Sequence, residues 1–159
     1  MKRNITDILK LLNADEPNYQ DVMALLTDDD YADLNMMVKE GNHSTAEKAI
    51  YCLGLMRSAK SLEGISMAAK SGEPAFRVAA ANALRYISYV SGARELLRGL
   101  LNDEETGVRK FTLMSIEYSN IRELKNEVAA CIDKEHNKLM INLAKRVFAR
   151  LNSMDHPIG

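Results

Sequence analysis

The sequence has few residues that break helices or form tight turns. Among its 159 residues there are only 8 Gly and 3 Pro, too few for the frequent turns of a multi-stranded β-sandwich. Hydrophobic residues make up 47% of the chain and charged residues 27%, proportions that are typical of a globular protein and exclude a disordered one. A chain of this length folds as one domain and buries roughly 68–70% of the surface that it exposes when unfolded.

Cysteines and long apolar runs are also scarce. Cys52 and Cys131 are too few for a disulfide framework, and because both fall on apolar helical faces we expect free thiols. No run approaches the roughly 18 apolar residues of a membrane span. Lys10 and Asn13 interrupt the N-terminal apolar segment that a signal peptide would need. We therefore expect a cytoplasmic protein that does not contact a membrane.

The net charge is close to zero but is unevenly distributed. With 21 Lys and Arg against 22 Asp and Glu, the formal charge is −1, whereas a dedicated nucleic-acid binder usually has a strongly basic domain. Residues 1–45 hold 4 basic and 9 acidic residues, and the remainder holds 17 basic and 13 acidic residues, so the two parts carry −5 and +4. This polarity has three possible interpretations. It steers a bipolar partner towards the chain, it favours head-to-tail contact between copies of the chain, or it is ordinary solvated surface without a binding role.

Apolar residues recur at helical spacing almost throughout the chain. In the segment 93–101 they stand at i, i+3, i+4, i+7 and i+8, which is one face of an amphipathic helix. The pattern repeats about every 31 residues: Val22, Leu53 and Leu84 share one register, and Ile116 follows with a slip of one residue. Self-similarity of this length is typical of stacked helical hairpins, because a single hairpin cannot cover its own apolar face.

The period predicts a leading helix, four helical hairpins and a final helix. The expected segments are 5–12, then 17–40, 44–71, 75–102 and 106–134, and last 137–152. We expect residues 1–152 to form a single domain and residues 153–159 to form a flexible tail. Thr27 or one of the aspartates 28–30 is expected to cap the helix that begins near Tyr31. Glu104 and Glu105 stand ahead of the helix predicted near Gly107 and are interpreted in the same way.

One junction between hairpins carries a more specific motif. Asp103 is followed at a short interval by Val108 and Arg109. In this spacing the chain resembles the HEAT-repeat family, particularly its bacterial members, whose repeats end one helical pair with Asp and begin the next with Val-Arg. Arg77 keeps the arginine, but Ser71 stands where the aspartate belongs, and the other junctions lack both.

The resemblance implies an all-α fold. It would be a right-handed α-solenoid of stacked antiparallel hairpins with about 4.5 repeats. In such a fold Arg109 would hydrogen-bond across the junction and join adjacent repeats.

No set of catalytic or metal-binding residues stands out. The chain has no Gly-rich phosphate loop, no His-Glu-x-x-His and no paired Cys-x-x-Cys motif. The three histidines lie at predicted turns or in the tail: His43, His136 and His156. Cys52 aligns with Ala83 and Ser115 and is interpreted as a small buried hydrophobe. We therefore expect a protein that is not an enzyme and that has no cofactor and no metal site.

The second helices of stacked hairpins usually line the concave side, which is the common binding face. Aligned by the 31-residue period, their candidate partner-binding residues are Met36, Glu63, Met67, Arg94, Arg98 and Lys125. A line of mostly small residues between them is expected to leave a shallow groove: Met37, Ala68, Gly99 and Ala130. Exposed Met suits adaptable contacts, and Arg is enriched at interface hot spots. For the two methionines exposure and burial in the core both stay open, whereas the two arginines are expected to be exposed.

The sequence therefore predicts a non-enzymatic protein–protein interaction module that docks another protein on the concave face. An adaptor, a regulatory subunit and an inhibitor or immunity-type partner all fit this description. The alternative is a DNA-binding or lesion-processing protein, because some HEAT-like proteins are DNA glycosylases that hold the duplex in a basic concavity. Glu63 and the net charge of −1 disfavour it. A weaker alternative is a lyase-like helper that attaches a chromophore. The expected assembly state is a monomer or a weak homo-oligomer.

Overall fold

The computed structural model describes residues 5–153, and across this range all regular structure is helical. The α-helices are α1 (Ile5–Leu12), α2 (Tyr19–Leu25), α3 (Tyr31–Glu40), α4 (His43–Leu55), α5 (Leu62–Ala69), α6 (Pro74–Ala83), α7 (Ala93–Leu100), α8 (Thr106–Tyr118), α9 (Lys125–Lys134) and α10 (Lys138–Ser153). The predicted all-α fold is confirmed, and the ends of the predicted segments lie within two residues of these helices. His156 and the predicted tail beyond Ser153 lie outside the described residues.

The helices pack in two layers. In the first-helix layer α2 packs against α4, α4 against α6, α6 against α8, and α8 against α10. In the second-helix layer α3 packs against α5, and α5 packs against α7. The helix α9 is the second helix of the next pair along the chain. Each second helix also packs against the first helix that follows it, so that α3 meets α4, α5 meets α6, α7 meets α8, and α9 meets α10. The hydrophobic core lies between these layers.

The predicted register of the first helices is confirmed by burial. The side chains that it aligns are all fully buried: Val22, Leu53, Leu84 and Ile116. Each such side chain contributes roughly 1.5–3 kcal/mol relative to an exposed one. The small-residue position beside it is also buried, at Cys52, Ala83 and Ser115. There α4 and α6 approach closely, because a Cβ on Gly54 would lie 3.0 Å from the Ala83 Cβ.

The second helices share a buried register that slips by one residue at α7. The aligned side chains are fully buried: Leu34, Ile65, Leu97 and Val128. A strict 31-residue period pairs Ile65 with Leu96, which is only half-buried. The slip falls in the connection before α7, where Gly92 has a φ of 93°. The other three second helices are each entered through a short 3-10 turn: 28–30, 59–61 and 122–124.

The predicted caps ahead of α3 and α8 have different outcomes. The backbone N–H of Thr27 donates to Asp30 Oδ2 over 2.6 Å, and Thr27 Oγ1 accepts from the N–H of Asp29. Thr27 therefore caps the 3-10 turn that leads directly into α3, whereas Asp30, the N-cap residue of α3 itself, makes no capping hydrogen bond through its side chain. Ahead of α8 the prediction was wrong, since the side chain of Glu105 makes no capping hydrogen bond. Asp103 Oδ1 accepts from the Glu105 N–H instead, over 2.9 Å, because its shorter side chain lies beside that N–H.

Two arginines of the first-helix layer join successive helical pairs. Arg77 donates from Nε and Nη2 to the carboxylate of Asp103 over 2.7 and 3.1 Å. Arg109, at the equivalent position of the next pair, donates from the same atoms to Glu135 over 2.9 and 3.0 Å. The Nη1 of each arginine donates to two backbone carbonyls of the preceding connection, including that of Ser71 for Arg77. Among side chains only arginine can form this bidentate arrangement, and its charge-assisted hydrogen bonds are stronger than neutral ones.

Asp103 and Arg109, the two charged residues of the motif, do not pair through their side chains. The Asp103 carboxylate accepts from the arginine of the preceding pair, whereas Arg109 contacts only the backbone oxygen of Asp103. Ser71 occupies the equivalent position one pair earlier. A carboxylate at position 71 would have no arginine to bind, because the helical pair before that of Arg77 has no arginine at the equivalent position.

The ion pairs also shift the pKa values of their carboxyl groups. Burial by itself raises the pKa of Asp103, but hydrogen bonds from Arg77 and from the Glu105 N–H outweigh it and hold this pKa below its ordinary value. Hydrogen bonds from Arg109 hold the pKa of Glu135 below its ordinary value in the same way. A carboxyl group whose pKa is lowered in the folded state stabilises that state when it is ionised.

We expect Asp103→Asn to lower the free energy of unfolding at pH 7 by about 1–2 kcal/mol. Glu104→Gln is the matched control, because the Glu104 carboxylate lies 3.9 Å from Arg77 and its side chain is 87% exposed, against 10% for Asp103. The control should change stability by less than about 0.5 kcal/mol. Thermal melts followed by circular dichroism measure both variants.

The lowered pKa of Asp103 makes the stabilisation by this ion pair depend on pH. The contribution of Asp103 is fully present above the ordinary carboxyl pKa of about 4 and is lost as the pH falls through the lowered folded-state pKa. The difference in melting temperature between the wild type and Asp103→Asn should therefore shrink below about pH 4. A difference that stays constant down to about pH 2 would contradict this account of the ion pair.

Candidate protein-binding surface

Met36 and Met67 are exposed side chains of the second-helix layer. They occupy the same position on α3 and α5, five residues after the first residue of each helix, and are 57% and 36% exposed. Leu34 and Ile65, two residues earlier, are fully buried. Because residues two apart lie about 200° apart around a helix, burial of the earlier residue turns each methionine outward. Of the two alternatives, exposure is therefore the correct one.

Arg94 and Arg98 lie on α7 and contact carboxylates of its own first turn and of the next helical pair. Arg94 donates to Glu123, and Arg98 donates to Glu95 and, over 2.9 Å, to Glu127. Hydrogen bonds from Glu95 and Glu127 raise the pKa of the Arg98 guanidinium. Arg94 is exposed, as predicted, whereas Arg98 is half-buried. These contacts link α7 to the region that begins α9.

Glu63 and Lys125 complete the predicted set. Glu63 is exposed in the first turn of α5, and Lys125 is the half-buried first residue of α9. The slip at α7 changes how the set is aligned, since counting from the buried register makes Glu95 the counterpart of Glu63. Arg94 corresponds to Leu62 and Lys125 instead. The six residues lie on one layer, but they do not align with one another as the 31-residue period predicts.

The predicted groove of small residues is interrupted. Met37 and Ala68 are buried and belong to the core, because they point from α3 and α5 towards the first-helix layer. A Cβ built on Gly99 would meet no atom within 4 Å. A groove of about 320 Å³ is present between α5 and α7, lined among others by Lys70, Glu95, Leu96 and Gly99. The expected groove is therefore restricted to this part of the face.

The apolar and charge patterns of the sequence did not identify a row of tyrosines on the first-helix side. Successive rings of Tyr19, Tyr51, Tyr86 and Tyr118 meet edge to face with centroids 4.6, 6.3 and 6.1 Å apart. The guanidinium of Arg85 lies 5.2 Å from the centroid of Tyr118. The signal that reveals the row is its spacing in the sequence, since Tyr19 and Tyr51 are as far apart as Tyr86 and Tyr118.

Neither cysteine lies in a setting that activates a thiol. Both are free; Cys52 is fully buried, and burial raises the pKa of its thiol to about 12. Cys131 is half-buried in a cleft beside His136, and burial raises its pKa as well. His43 and His136 are exposed, and the ring of His43 lies 5.3 Å from that of Phe76. The interpretation of Cys52 as a buried hydrophobe is confirmed.

Comparison with known proteins gives no family assignment, since no family model and no curated protein matches the chain. Between residues 5 and 153 no helix is both long and apolar enough to cross a membrane. In the same range no three His, Cys, Asp or Glu side chains are grouped as ligands for a metal ion. The surfaces described above are therefore the basis of the functional proposal.

We expect the two thiols to react at very different rates with a disulfide reagent at pH 8. Cys131 should react first, and Cys52 only as fast as the protein unfolds, because a buried thiol with a raised pKa forms almost no thiolate. Absorbance of the released thiolate measures both rates. The slow phase should disappear in Cys52→Ser and persist in Cys131→Ser. Fast labelling of Cys52 in the folded protein would contradict this expectation.

Proposed function

We propose that this chain is a right-handed α-solenoid of about 4.5 HEAT-like helical pairs and that it acts as a non-enzymatic protein–protein interaction module in the cytoplasm. Another protein docks on the second-helix layer, which forms the concave face in such a stack. The free thiols of Cys52 and Cys131 fit a reducing compartment. A monomer or a weak homo-oligomer is the expected assembly state.

Recurring contacts between neighbouring pairs support the solenoid. Arg77 and Arg109 make the same set of bonds one pair apart, each to a carboxylate and to two backbone oxygens. The buried registers of both layers recur once in each helical pair. Contacts that repeat between adjacent units are what a stacked repeat protein requires.

The exposure of Met36 and Met67 is the observation that carries the binding proposal. The two side chains stand at equivalent positions on adjacent helices of one layer, and the exposed carboxylate side chain of Glu63 lies one turn before Met67 on α5. Large apolar side chains that are exposed together and bordered by polar groups mark protein contact surfaces. The flexible thioether of methionine adapts to the shape of a partner.

The DNA-binding alternative has less support. Arg94 and Arg98 already contact the carboxylates of Glu123, Glu95 and Glu127. A phosphate group would have to displace these carboxylates, and the remaining negative charge would repel it. The same contacts make charge reversal of the arginines an unsuitable test of protein binding, since it would place glutamates against glutamates. Substitution of the two methionines is a cleaner test of protein binding.

We expect the double variant Met36→Ser/Met67→Ser to lose the partner that the wild-type chain captures from its native host. Loss of one buried methionine contact weakens binding by roughly 1.5–3 kcal/mol, which is at least about tenfold. Tyr89→Ser is the matched control, because Tyr89 is 66% exposed but lies in the connection between α6 and α7, outside the helices of the second-helix layer. Quantitative mass spectrometry of captured proteins measures the change, and thermal melts establish that both variants fold.

A photo-reactive residue at position 36 or 67 identifies the contact directly, since it should cross-link the same partner, whereas one at position 89 should not. Retention of the partner by the double variant and its loss in Leu139→Ser, which changes a residue of α10 in the other layer, would overturn the choice of face. Duplex DNA binding at about 50 mM salt that is lost on replacing Arg94 and Arg98 by Gln would favour the nucleic-acid alternative.

A further inference from the structure

A second exposed surface lies between α8 and α10, in the first-helix layer. It consists of two adjoining grooves that share the side chain of Met114. The first, of about 400 Å³, has an apolar floor of Met114, Leu139, Met140 and Leu143. The second, of about 430 Å³, extends past Met114 to Tyr118. Together they form one path along the two helices, which we call the α8–α10 groove; it is apolar along the first groove and is bordered mainly by charged side chains along the second.

The α8–α10 groove leaves large apolar side chains in contact with solvent. Leu139 at one end is 79% exposed, more than any other large apolar side chain of the described residues, and Tyr118 at the other end is 55% exposed. No helix of the described range follows α10 to cover them. Exposed apolar side chains gathered in one groove are characteristic of a binding site for another chain.

The length of the groove suits a short helix. One end lies between Thr106 and Leu139, and the other lies where Glu117 meets Arg150. α8 and α10 therefore run parallel, and the groove extends over most of the 13 residues of α8. At 1.5 Å per residue this is about 20 Å, the length of a helix of three to four turns.

The charges along the groove are mainly positive. The cationic side chains that line it are Arg85, Lys110, Arg146 and Arg150. Its one lining carboxylate, Glu117, already accepts from Arg146 over 3.0 and 3.2 Å and lies 3.7 Å from Arg150. The side chains of Arg146 and Arg150 are still 62% and 61% exposed. The groove therefore attracts an anionic partner.

From the apolar floor, the cationic borders and the length, we infer that the α8–α10 groove binds an acidic amphipathic helix of a protein partner. Apolar side chains at i, i+3, i+4 and i+7 of that helix fill the floor, and its carboxylates meet Lys110 and Arg146. A lipid surface matches a projecting apolar face, whereas these side chains line a depression. This site lies in the first-helix layer and is separate from the proposed binding face of the second-helix layer.

The inference is tested with the full chain and a fluorescein-labelled helical peptide of about 14 residues, with Leu at i, i+3, i+4, i+7 and Glu elsewhere on its borders. Fluorescence anisotropy at about 50 mM salt should show saturable binding that weakens as salt is raised. A peptide with Lys in place of every Glu should not bind. Leu139→Ser should raise the dissociation constant about tenfold, and Lys110→Glu about threefold or more.

Tyr89→Ser is the matched control, since Tyr89 is 66% exposed in the connection between α6 and α7 and belongs to neither surface, and it should leave the dissociation constant unchanged. Equal binding of the Lys peptide, absence of saturable binding at low salt, or insensitivity to Leu139→Ser would each overturn the inference. Loss of binding in Met36→Ser alone would move the acidic segment to the second-helix layer. Anionic phospholipid vesicles that bind through Leu139 when the peptide does not would identify a membrane surface instead.

Discussion

Every other feature of this structure depends on the burial of apolar side chains between two layers of helices. Val22, Leu53, Leu84 and Ile116 of the first-helix layer and Leu34, Ile65, Leu97 and Val128 of the second are all fully buried. A single pair of short helices cannot exclude water from both sides of these residues. Each pair is therefore covered by its neighbours, and the outward faces of both layers are left free to differ in chemistry.

Apolar burial by itself does not fix the angle between successive pairs, because it is non-directional. The bidentate bonds of Arg77 and Arg109 add direction, since a planar guanidinium binds a carboxylate in few orientations. Each arginine also binds the backbone of the connection before it, so one side chain ties that connection to a carboxylate near the end of its own helical pair. Lysine, with a single charged atom, could not make this set of contacts.

The helices and the first-helix register could be predicted because the spacing of apolar residues records burial directly. The slip at α7 was missed, although the one-residue slip at Ile116 in the first-helix register comes from the same interval of the sequence. In the structure this interval includes the connection in which Gly92 has a φ of 93°. The slip changes which side chains align with Arg94 and Arg98 on the candidate face. The sequence indicated that Arg109 makes a stabilising contact, but the carboxylate of Glu135 lies 26 residues away and belongs to no local motif. The charge partners Glu123 and Glu127 were missed for the same reason.

The distribution of these charge partners decides how the two faces differ. On the second-helix layer Arg94 and Arg98 each have at least one carboxylate of their own, so these two arginines leave no local excess of positive charge there. On α10, Arg146 and Arg150 share the carboxylate of Glu117, which leaves a local excess of positive charge. Salt screens charges beyond about 10 Å at 0.1 M, so a partner senses the charge of one face and not the net charge of the chain. A formal charge of −1 is therefore compatible with a face that selects acidic segments.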